Sequence, residues 1–478
     1  MYNSDICKFL ELEEKYNLYN KKILNVNYWI YSRFFIWEKI QQVKFGLGDA
    51  HRKSRSEWIS SFQIISGLLF NSFIKPKQFP KDIDLFILSH PRRVWNDGHY
   101  ECCYTTSLAL EYHKSIVGER PYLFHHEKPV KEKNIFYLDK IMVMGNLFYL
   151  LYRIFRKKHY KKLYKQLEKE LNEVLNQINL IWNINIENHK IIKLISKKIL
   201  ICTEKRKLYE KLLIKLHPKI IVEVVSYVMD SMIINELAEK HNIPTIELQH
   251  GTMGREHIPY NYTQGHHIPQ FPEYIFLFSD YWKKTSSLPI NEKNIKVTGF
   301  PYFDKQMKKY PKQQHDKLSI IFISQGTIGH ALSRFAVDLV NHLDMHKWTV
   351  FYKLHPGEFE SWEKEYPWLN TSTIKVIGKN EKNIYELFSI CDVQIGVYST
   401  ALFEGLGYGL HTLIYKIYHS ELFEELCRTC YADFFTDIDE CIDKLETIPY
   451  TKIKKGFWKE NAFENMKKEI NEILCKIS

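Results

Sequence analysis

In the C-terminal half of the sequence, the residues best suited to chemistry stand where three apolar, strand-like runs end. The run IIFIS leads to Ser324-Gln325-Gly326-Thr327, the run VFYKL leads to His355-Pro356, and the run VQIGVY leads to Ser399-Thr400, which opens a helix. The carboxyl ends of parallel strands meet at one edge of a sheet, and hydroxyls with backbone N–H groups at a helix start bind phosphate. A histidine at this edge can donate to the same phosphate and stabilise a leaving nucleotide. We therefore predict a site for a donor nucleotide and its phosphate, formed by Ser324, Gln325, Gly326, Lys353, His355, Pro356, Ser399, Thr400 and Glu404.

The N-terminal half offers a second group of reactive side chains, again at the end of a strand-like run. Gln249-His250-Gly251-Thr252 follows IPTIEL, where the glycine lets the backbone bend and a histidine suits general-base work. Asp97, beside Gly98, is a second candidate base, although an acid-glycine pair in a loop is also typical of a simple turn. The predicted catalytic base is therefore His250 or Asp97, and the predicted acceptor site comprises Arg255, Glu256 and His257.

The elements that position these residues alternate between strand-like and helix-like patterns. One β–α–β series runs from about residue 219 to 300, and a second begins at about 318, after a polar segment that contains Pro311. Strands that alternate with helices predict parallel sheets with crossover connections. We predict an N-terminal Rossmann-like domain over 1–304, with a helical insertion at about 141–215, and a C-terminal Rossmann-like domain over 305–478 that ends in an amphipathic helix.

Composition narrows the class of partner. The 478 residues carry a formal net charge of +11, which favours nucleic acid, anionic lipid or phosphorylated substrates. No nucleic-acid-binding motif is recognisable, so we expect no nucleic-acid partner. The nine cysteines form no regular framework, which is typical of reduced thiols in a cytoplasmic protein.

An apolar and aromatic stretch, IMVMGNLFYLLYRIF, leads into the basic stretch RKKHYKKLYK. This pattern suits a helix lying on anionic lipid, and it equally suits a solvated helix whose apolar face packs on its own domain. The first residues lack the apolar core of a signal peptide, and no apolar run is long enough to span a membrane. The predicted location is cytoplasmic, at the inner face of the cell membrane if the basic stretch contacts lipid.

The segments I-E-L-Q-H-G-T, G-F-P, K-L-H-P and Y-S-T-A-L-F-E-G-L-G-Y-G, within about 219–420, resemble GT-B transferases of bacterial surface polysaccharide synthesis. In the sialyl- and Kdo transferases that use CMP-sugars, an H-P motif and a Ser/Thr motif hold the CMP phosphate; His355-Pro356 and Ser399-Thr400 match them. The CDP-glycerol glycerophosphotransferases carry H-G-T, H-P and Y-S-S motifs, and the histidine of H-G-T, matched by His250, acts as the base. The acidic motif of the sialyltransferases is represented only by Asn96-Asp97-Gly98, and the tryptophan before H-G-T is replaced by Gln249.

The resemblance implies an α/β fold of the GT-B type, with two Rossmann-like domains whose parallel sheets face a cleft that His250 would line. It also implies catalysis without a bound metal or other cofactor. The predicted reaction moves a sugar from a nucleotide-activated donor, with a CMP- or CDP-linked donor favoured, to a glycan or lipid-linked acceptor of capsule or lipopolysaccharide. The alternatives are a CDP-alditol phosphotransferase, a GT-B-fold sugar epimerase and, outside enzymes, a membrane-surface scaffold.

Overall fold

Two parallel β-sheets organise the chain in the computed structural model, which describes residues 4–44, 82–91, 93–121, 126–379, 381–418, 420–448 and 456–477. Each sheet belongs to one of two units. The first unit comprises residues 1–277, 286–298 and 464–478, and the second comprises 278–285 and 299–463.

The first unit is built on a seven-stranded parallel sheet with two short antiparallel hairpins beside it. Its strands are β1 (Lys22–Ile23), β2 (Val26–Asn27), β3 (Leu85–Leu88), β4 (Val94–Asn96), β5 (His99–Glu101), β6 (Ser115–Glu119), β7 (Ile135–Tyr137), β8 (Ile220–Val224), β9 (Thr245–Leu248), β10 (Tyr274–Leu277) and β11 (Ile295–Val297). The sheet order is β11-β10-β9-β8-β3-β6-β7. The runs LFIL of β3 and IIVEV of β8 are buried along their whole length, as expected for parallel strands covered on both faces.

Long helices dominate the middle of this unit. Its helices are α1 (Ser4–Lys15), α2 (Arg33–Lys44), α3 (Thr106–Glu111), α4 (Asp139–Phe155), α5 (Lys157–Trp182), α6 (Asn188–Leu216) and α7 (Met229–Lys240). Helix α5 buries Leu163, Leu167 and Leu171, among others, at the spacing of an amphipathic helix. Helix α4 approaches α6 closely at Gly145, where a Cβ atom would lie 3.1 Å from the side chains of Ile201 and Lys205.

The second unit is built on a six-stranded parallel sheet. Its strands are β12 (Leu318–Ile323), β13 (Trp348–Lys353), β14 (Lys375–Ile377), β15 (Val393–Gly396), β16 (His411–Tyr415) and β17 (Asp433–Phe435). The remaining helices are α8 (Asp280–Thr285), α9 (Pro301–Lys309), α10 (Gly329–His342), α11 (Trp362–Glu365), α12 (Ile384–Ile390), α13 (Ala401–Gly407), α14 (Glu424–Arg428), α15 (Ile438–Thr447) and α16 (Ala462–Ile477). The core around β12 includes the buried side chains of Ile320, Phe322 and Tyr352.

The division of the chain differs in detail from the predicted boundary at 304/305. Gly299 turns the chain with a φ of +94°, and Pro301 begins α9, so the whole of α9 belongs to the second unit. Residues 464–478 group with the first unit, where Lys467 Nζ lies 2.8 Å from Glu111. Amphipathicity predicted this last helix, but its partner depends on charges far away in the sequence.

The apolar-basic stretch is likewise not one helix. It crosses the corner between α4 and α5 at Arg156, whose φ of −116° and ψ of 35° interrupt the helical backbone. Among the described residues, no helix is both long enough and apolar enough to cross a membrane.

Candidate active site

The second sheet has the order β14-β13-β12-β15-β16-β17, so the chain starts at β12, adds two strands on one side and then three on the other. In open parallel sheets of this kind, ligands bind beyond the carboxyl ends of the strands where the order reverses. Ser324 follows β12, Ser399 lies in the loop after β15, and His355 follows the adjacent β13. The structure therefore places two of the three predicted strand ends at the reversal point of one sheet and the third, after β13, next to it.

A buried glutamate joins two of these strand ends. Glu358 accepts hydrogen bonds from Ser324 Oγ at 2.9 Å, from the backbone N of His355 at 2.6 Å and from the Tyr366 hydroxyl at 2.9 Å. Its side chain is almost fully buried, and its two oxygens satisfy donors from both loops. Glu358 therefore fixes the loop of His355 against the end of β12.

The hydrogen bonds of His355 identify which ring nitrogen carries the proton. The backbone N–H of Gly357 donates to His355 Nδ1 at 3.1 Å. A backbone N–H is only a donor, so Nδ1 must be the acceptor and the neutral ring carries its proton on Nε2. Because His355 is exposed, Nε2–H can donate to an anionic oxygen of a ligand.

The loop after β15 completes this edge of the sheet. Ser399 is buried and its Oγ accepts from the N–H of Ala401 at 3.4 Å, whereas Thr400 is exposed at the start of α13. Thr327, in the loop after β12, is hydrogen-bonded to the Tyr398 hydroxyl, which ties this loop to the one after β15. Helix α13 spans Ala401–Gly407, too short for a strong dipole, so the loop hydroxyls and N–H groups remain the expected phosphate ligands.

The other predicted donor-site residues differ in their surroundings. Gly326 and Pro356 are exposed, and Gly326 has open space where a Cβ would stand. Gln325 has a buried Oε1 without a hydrogen-bond partner in the described part of the chain. Burial lowers the pKa of Lys353, whose Nζ donates to the Gly378 carbonyl at 2.8 Å, so its ammonium is held at the end of β14. Glu404 is half-buried, and burial raises its pKa to about 7.

The first sheet repeats this topology. Its chain starts at β3, adds β6 and β7 on one side and then β8 to β11 on the other, so the order reverses between β3 and β8. His90 follows β3, Tyr227 follows β8 and His250 follows β9. The rings of His90 and His250 are nearly parallel, at 21° with centroids 6.4 Å apart, and Tyr227 is 5.9 Å from His250 by the same measure.

His250 lies between two tyrosines and a buried carboxylate. Its Nδ1 lies 3.5 Å from the Tyr260 hydroxyl and 3.9 Å from Glu247 Oε1, and its Nε2 lies 3.3 Å from the Tyr227 hydroxyl. The Tyr260 hydroxyl donates its hydrogen to Glu247 Oε1 at 2.6 Å, so toward His250 the Tyr260 oxygen can only accept. This favours the His250 tautomer with the proton on Nδ1. Nε2 of His250 then carries the lone pair and can accept a proton.

Burial sets the protonation of this cluster. It lowers the pKa of His250 to about 3, with smaller contributions from His257 and His90, and it lowers the pKa of His257 to about 4. Both rings are therefore neutral near pH 7. Burial also raises the pKa of Glu247 and, together with the charge of Glu247, raises that of Glu223 to about 8.

Glu247 is held by the neighbouring strand end. Its Oε1 accepts a hydrogen bond from the backbone N–H of Ser226 at 3.0 Å. Val225, which precedes Ser226, has a φ of +68°. A β-branched residue in the left-handed region is strained by about 1–3 kcal/mol, a conformation that often marks functional loops. Since Glu247 is directly opposite Glu223 across β8 and β9, two buried carboxyl groups stand behind His250.

A buried arginine of α2 holds the loop that follows His250. Arg33 forms two 2.8 Å hydrogen bonds with Glu13, through Nε and Nη2, and donates to the carbonyls of Ile258 and Asn261. This loop carries three half-buried residues predicted to bind the acceptor, namely Arg255, Glu256 and His257. The His257 ring centroid lies 5.3 Å from that of Tyr260, so it joins the His250 cluster.

Asp97 has a different position. It is exposed at the tip of the β4–β5 hairpin, with φ of +48° for Asp97 and +79° for Gly98. Two successive positive φ angles define the turn that favours Asp-Gly in two-residue hairpins, so local turn geometry accounts for the pair. In the described ranges, none of the hydrogen bonds or ring contacts of His250 involves Asp97.

Several residues of these sites did not emerge from the sequence. In the first unit they are His90, Tyr227 and Glu247, and in the second unit Glu358, whereas the sequence had offered Tyr260 only as a polar group for an acceptor. A signal existed for two of them. His90 ends a strand-like run, and Glu247 is a charged residue inside the apolar run IPTIEL, which is unusual unless it is paired or functional. No group of three or more potential metal ligands is arranged for a metal ion in the described residues.

Comparison with known proteins gives a likeness in fold. No protein-family model matches the sequence, and no curated protein matches it. The UDP-GlcNAc 2-epimerase from Methanocaldococcus jannaschii matches with a TM-score of 0.50 at 10% identity, covering 82% of this chain and 99% of that one. A putative UDP-N-acetylglucosamine 2-epimerase from Listeria monocytogenes matches with a TM-score of 0.46 at 11% identity, covering 82% and 98%. The wall teichoic acid polymerase TagF matches with a TM-score of 0.41 at 9% identity, covering 89% and 95%.

The likeness to the Methanocaldococcus epimerase, together with the two doubly wound parallel sheets, assigns this chain to the GT-B fold. The predicted α/β fold class is thereby confirmed. At 10% identity the likeness concerns the fold alone, so the activity must be argued from the residues.

Proposed function

We propose that this protein is a glycosyltransferase that moves a sugar from a nucleotide-activated donor to a hydroxyl group of a glycan or lipid-linked acceptor. The observation that carries the proposal is the set of hydrogen-bond partners around two histidines at the two sheet edges, which favours opposite tautomers for them. His355 carries its proton on Nε2 and can donate to a phosphate, whereas Nε2 of His250, which faces the Tyr227 hydroxyl, carries no proton and can accept one. Transfer to a hydroxyl needs both functions, a base for the acceptor and a donor for the leaving phosphate.

In the proposed reaction, the acceptor hydroxyl takes the place of the Tyr227 hydroxyl at His250 Nε2. The proton of the acceptor hydroxyl passes to Nε2 while the acceptor oxygen forms the new bond to the anomeric carbon of the donor sugar. The bond from that carbon to the phosphate oxygen breaks, and its electron pair stays on the nucleotide. Glu247, whose Oε1 lies 3.9 Å from Nδ1, would stabilise the imidazolium that forms.

The donor phosphate is proposed to bind to Nε2–H of His355, the hydroxyls of Ser399 and Thr400, and the backbone beside Gly326. These groups supply hydrogen-bond donors where negative charge develops on the leaving nucleotide. Glu404 is proposed to contact the ribose, and Arg255, Glu256 and His257 the acceptor. A CMP-linked sugar is the favoured donor, with synthesis of a surface polysaccharide as the setting, because the motifs around His355 and Ser399 resemble those of CMP-sugar transferases.

A second candidate is transfer of an alditol phosphate from a CDP-alditol, which would use the same two histidines. The attack would then occur at phosphorus, and CMP would leave. The hydrogen-bond donors at His355 and Thr400 favour this reaction as well, because they would stabilise charge on either kind of phosphate. The products distinguish the two: a CMP-sugar loses its sugar, whereas a CDP-alditol loses its alditol phosphate.

Binding and turnover test the proposal separately. Nucleotide binding is measured by the melting temperature with CMP, CDP, UDP or GDP, since a ligand of the native state raises it. His355→Ala should abolish the shift, because it removes the Nε2 donor. If none of the four nucleotides shifts the melting temperature of the wild-type protein, the donor site is wrong.

Turnover is measured by chromatography of the nucleotides released from CMP-, CDP- and UDP-linked donors with a glycan acceptor. His250→Asn should lower turnover by about 10²–10⁴-fold and leave the nucleotide-induced melting shift intact. The control is His267→Asn, an exposed histidine of the same unit. Full activity of His250→Asn would transfer the role of base to Asp97, and interconversion of UDP-sugars without nucleotide release would identify an epimerase instead.

A further inference from the structure

Helix α4 carries two apolar faces, and one of them is exposed. Ile141, Gly145 and Tyr149 are buried on the face directed at α6. Leu147, Leu150, Leu151, Ile154 and Phe155 share the other side of the helix, and all are exposed, Ile154 to 67% and Phe155 to 77%. Single exposed hydrophobic residues are ordinary, but a continuous stripe of large ones marks a contact surface.

A row of cations follows this stripe at once. Residues 153–159, at the corner between α4 and α5, are all exposed. The sequence from 140 to 167 contains no acidic residue. The cations of the corner and the first turns of α5 are Arg153, Arg156, Lys157, Lys158, Lys161, Lys162 and Lys165. Within the described ranges, none of these seven has an acidic partner within ion-pair distance.

The chemistry of this corner distinguishes among its possible partners. Nucleic acid would be served by the cations but not by exposed leucine, isoleucine and phenylalanine side chains. A second copy, bound through the same patch about a two-fold axis, would bring seven cations against seven more. An anionic lipid surface satisfies both halves, since its headgroups neutralise the cations and its acyl region takes the apolar side chains.

We propose that the α4–α5 corner docks on an anionic membrane surface, with Ile154 and Phe155 inserted below the headgroups and the basic row lying over them. Three half-buried tyrosines, Tyr152, Tyr160 and Tyr164, accompany the corner, and aromatic rings of this kind favour the membrane–water interface. Arg153 lies over the rings of Tyr149 and Tyr160, at 5.6 and 5.7 Å from their centroids. A groove of about 350 Å³ beside Phe155 adds apolar surface at the same corner.

The test is co-sedimentation of the full chain with vesicles of phosphatidylcholine alone or mixed with phosphatidylglycerol. No substrate is present, so the result is independent of the proposed reaction. We expect binding to the mixed vesicles only, and weaker binding as salt is added. Lys157→Glu with Lys158→Glu should weaken binding by at least about 30-fold, since each basic residue near such a surface contributes roughly fivefold. Ile154→Ser with Phe155→Ser should weaken it by at least about tenfold through lost apolar burial.

Matched controls come from α5 and α6. Leu180→Ser with Ile214→Ser removes two other exposed apolar side chains, and Lys193→Glu with Lys211→Glu reverses two other exposed cations. Because every substituted residue is exposed, the variants should have the same melting temperature as the wild type. Equal binding to both kinds of vesicle, or control pairs as damaging as the corner pairs, would overturn the proposal. The proposal would also be overturned if sedimentation velocity showed a wild-type dimer that becomes monomeric in the Ile154→Ser/Phe155→Ser variant while that variant still binds vesicles.

Discussion

Replacing Glu358 by glutamine tests whether a buried carboxylate organises the donor-phosphate edge of the second sheet. One oxygen of Glu358 accepts from Ser324 Oγ and the Tyr366 hydroxyl, and the other accepts the backbone N–H of His355. Glutamine keeps the size and shape but offers one oxygen and one NH₂ group. If its oxygen serves the two hydroxyls, its NH₂ faces the N–H of His355, and two donors oppose each other.

The magnitude follows from these three hydrogen bonds. A hydrogen bond to a charged group contributes about 1.5–3 kcal/mol, and glutamine loses one such bond and weakens the other two. The neutral side chain recovers part of the cost of burying a carboxylate, so we expect a net loss of about 2–3 kcal/mol. For a unit of this size, that lowers the melting temperature by about 4–12 °C. Because the loop of His355 loses its anchor, nucleotide binding should weaken in parallel.

The assay is thermal unfolding with and without nucleotide, supplemented by calorimetric titration of the nucleotide that binds the wild type. Glu360→Gln is the control, since Glu360 is an exposed residue two positions away that forms no hydrogen bond or ion pair in the described residues. If Glu358→Gln melts within about 1 °C of Glu360→Gln, the hydrogen bonds to Glu358 contribute less to stability than the structure predicts.

Two further outcomes follow from single sites. Gly329→Ala should lower the free energy of unfolding of the second unit in urea by about 1–3 kcal/mol, because the added Cβ would overlap Glu358 Oε1 and the Tyr366 hydroxyl. Gly326→Ala is the control and should leave stability nearly unchanged, because the space around its Cβ is open. Equal losses of stability in the two variants would contradict this packing. The pKa of His126, although lowered by burial, is raised overall by hydrogen bonds to Asp139 and Glu119, so its stabilising contribution is full below its unfolded value near 6.5 and is lost as pH rises through the higher folded value. The gap in urea stability between wild type and His126→Asn should therefore shrink as pH increases above about 6.5, and a gap independent of pH would show that His126 does not titrate as the structure requires.

The strand ends of the second unit were predictable because they depend on local pattern. Apolar runs of strand length predicted β12, β13 and β15, and the general geometry of parallel sheets placed Ser324, His355 and Ser399 at one edge. What the pattern could not supply was the contact set of Glu358. Its two hydroxyl partners lie 34 residues before it and eight after it in sequence, and only the packed loops bring them together.

The cluster around His250 was less predictable because it depends on strand order. His90 and His250 meet because β8 lies between β3 and β9 in the sheet, although three long helices separate β3 from β8 along the chain. No local signal fixes that order. Asp97 shows the opposite case, because its local pattern of Asn-Asp-Gly was sufficient to specify a turn and needed no catalytic role.

The break at Arg156 was missed for a physical reason of its own. The apolar and basic stretch contains no proline there and no glycine after Gly145, so helix propensity alone predicts continuity. The chain turns because α4 and α5 each bury a stripe: α4 buries Tyr149, and α5 buries Leu163 and Leu167. Tertiary burial outweighs local propensity at such a corner, and it also leaves the outer stripe of α4 uncovered.

The two sheets carry a similar arrangement of a histidine and a buried glutamate at the carboxyl ends of their strands. Each places a histidine in the loop after the strand next to the reversal point, and in each a buried glutamate accepts a hydrogen bond from a backbone N–H of a loop at this edge. The two arrangements differ in the part of the histidine that the glutamate contacts, the backbone in one sheet and the ring in the other. Glu358 holds the backbone of His355 and leaves Gly357 to fix its ring as a proton donor, whereas Glu247 faces Nδ1 of His250 and fixes its ring as a proton acceptor. In the proposed reaction, His355 would therefore donate a hydrogen bond to the leaving phosphate, and His250 would accept the proton of the acceptor hydroxyl.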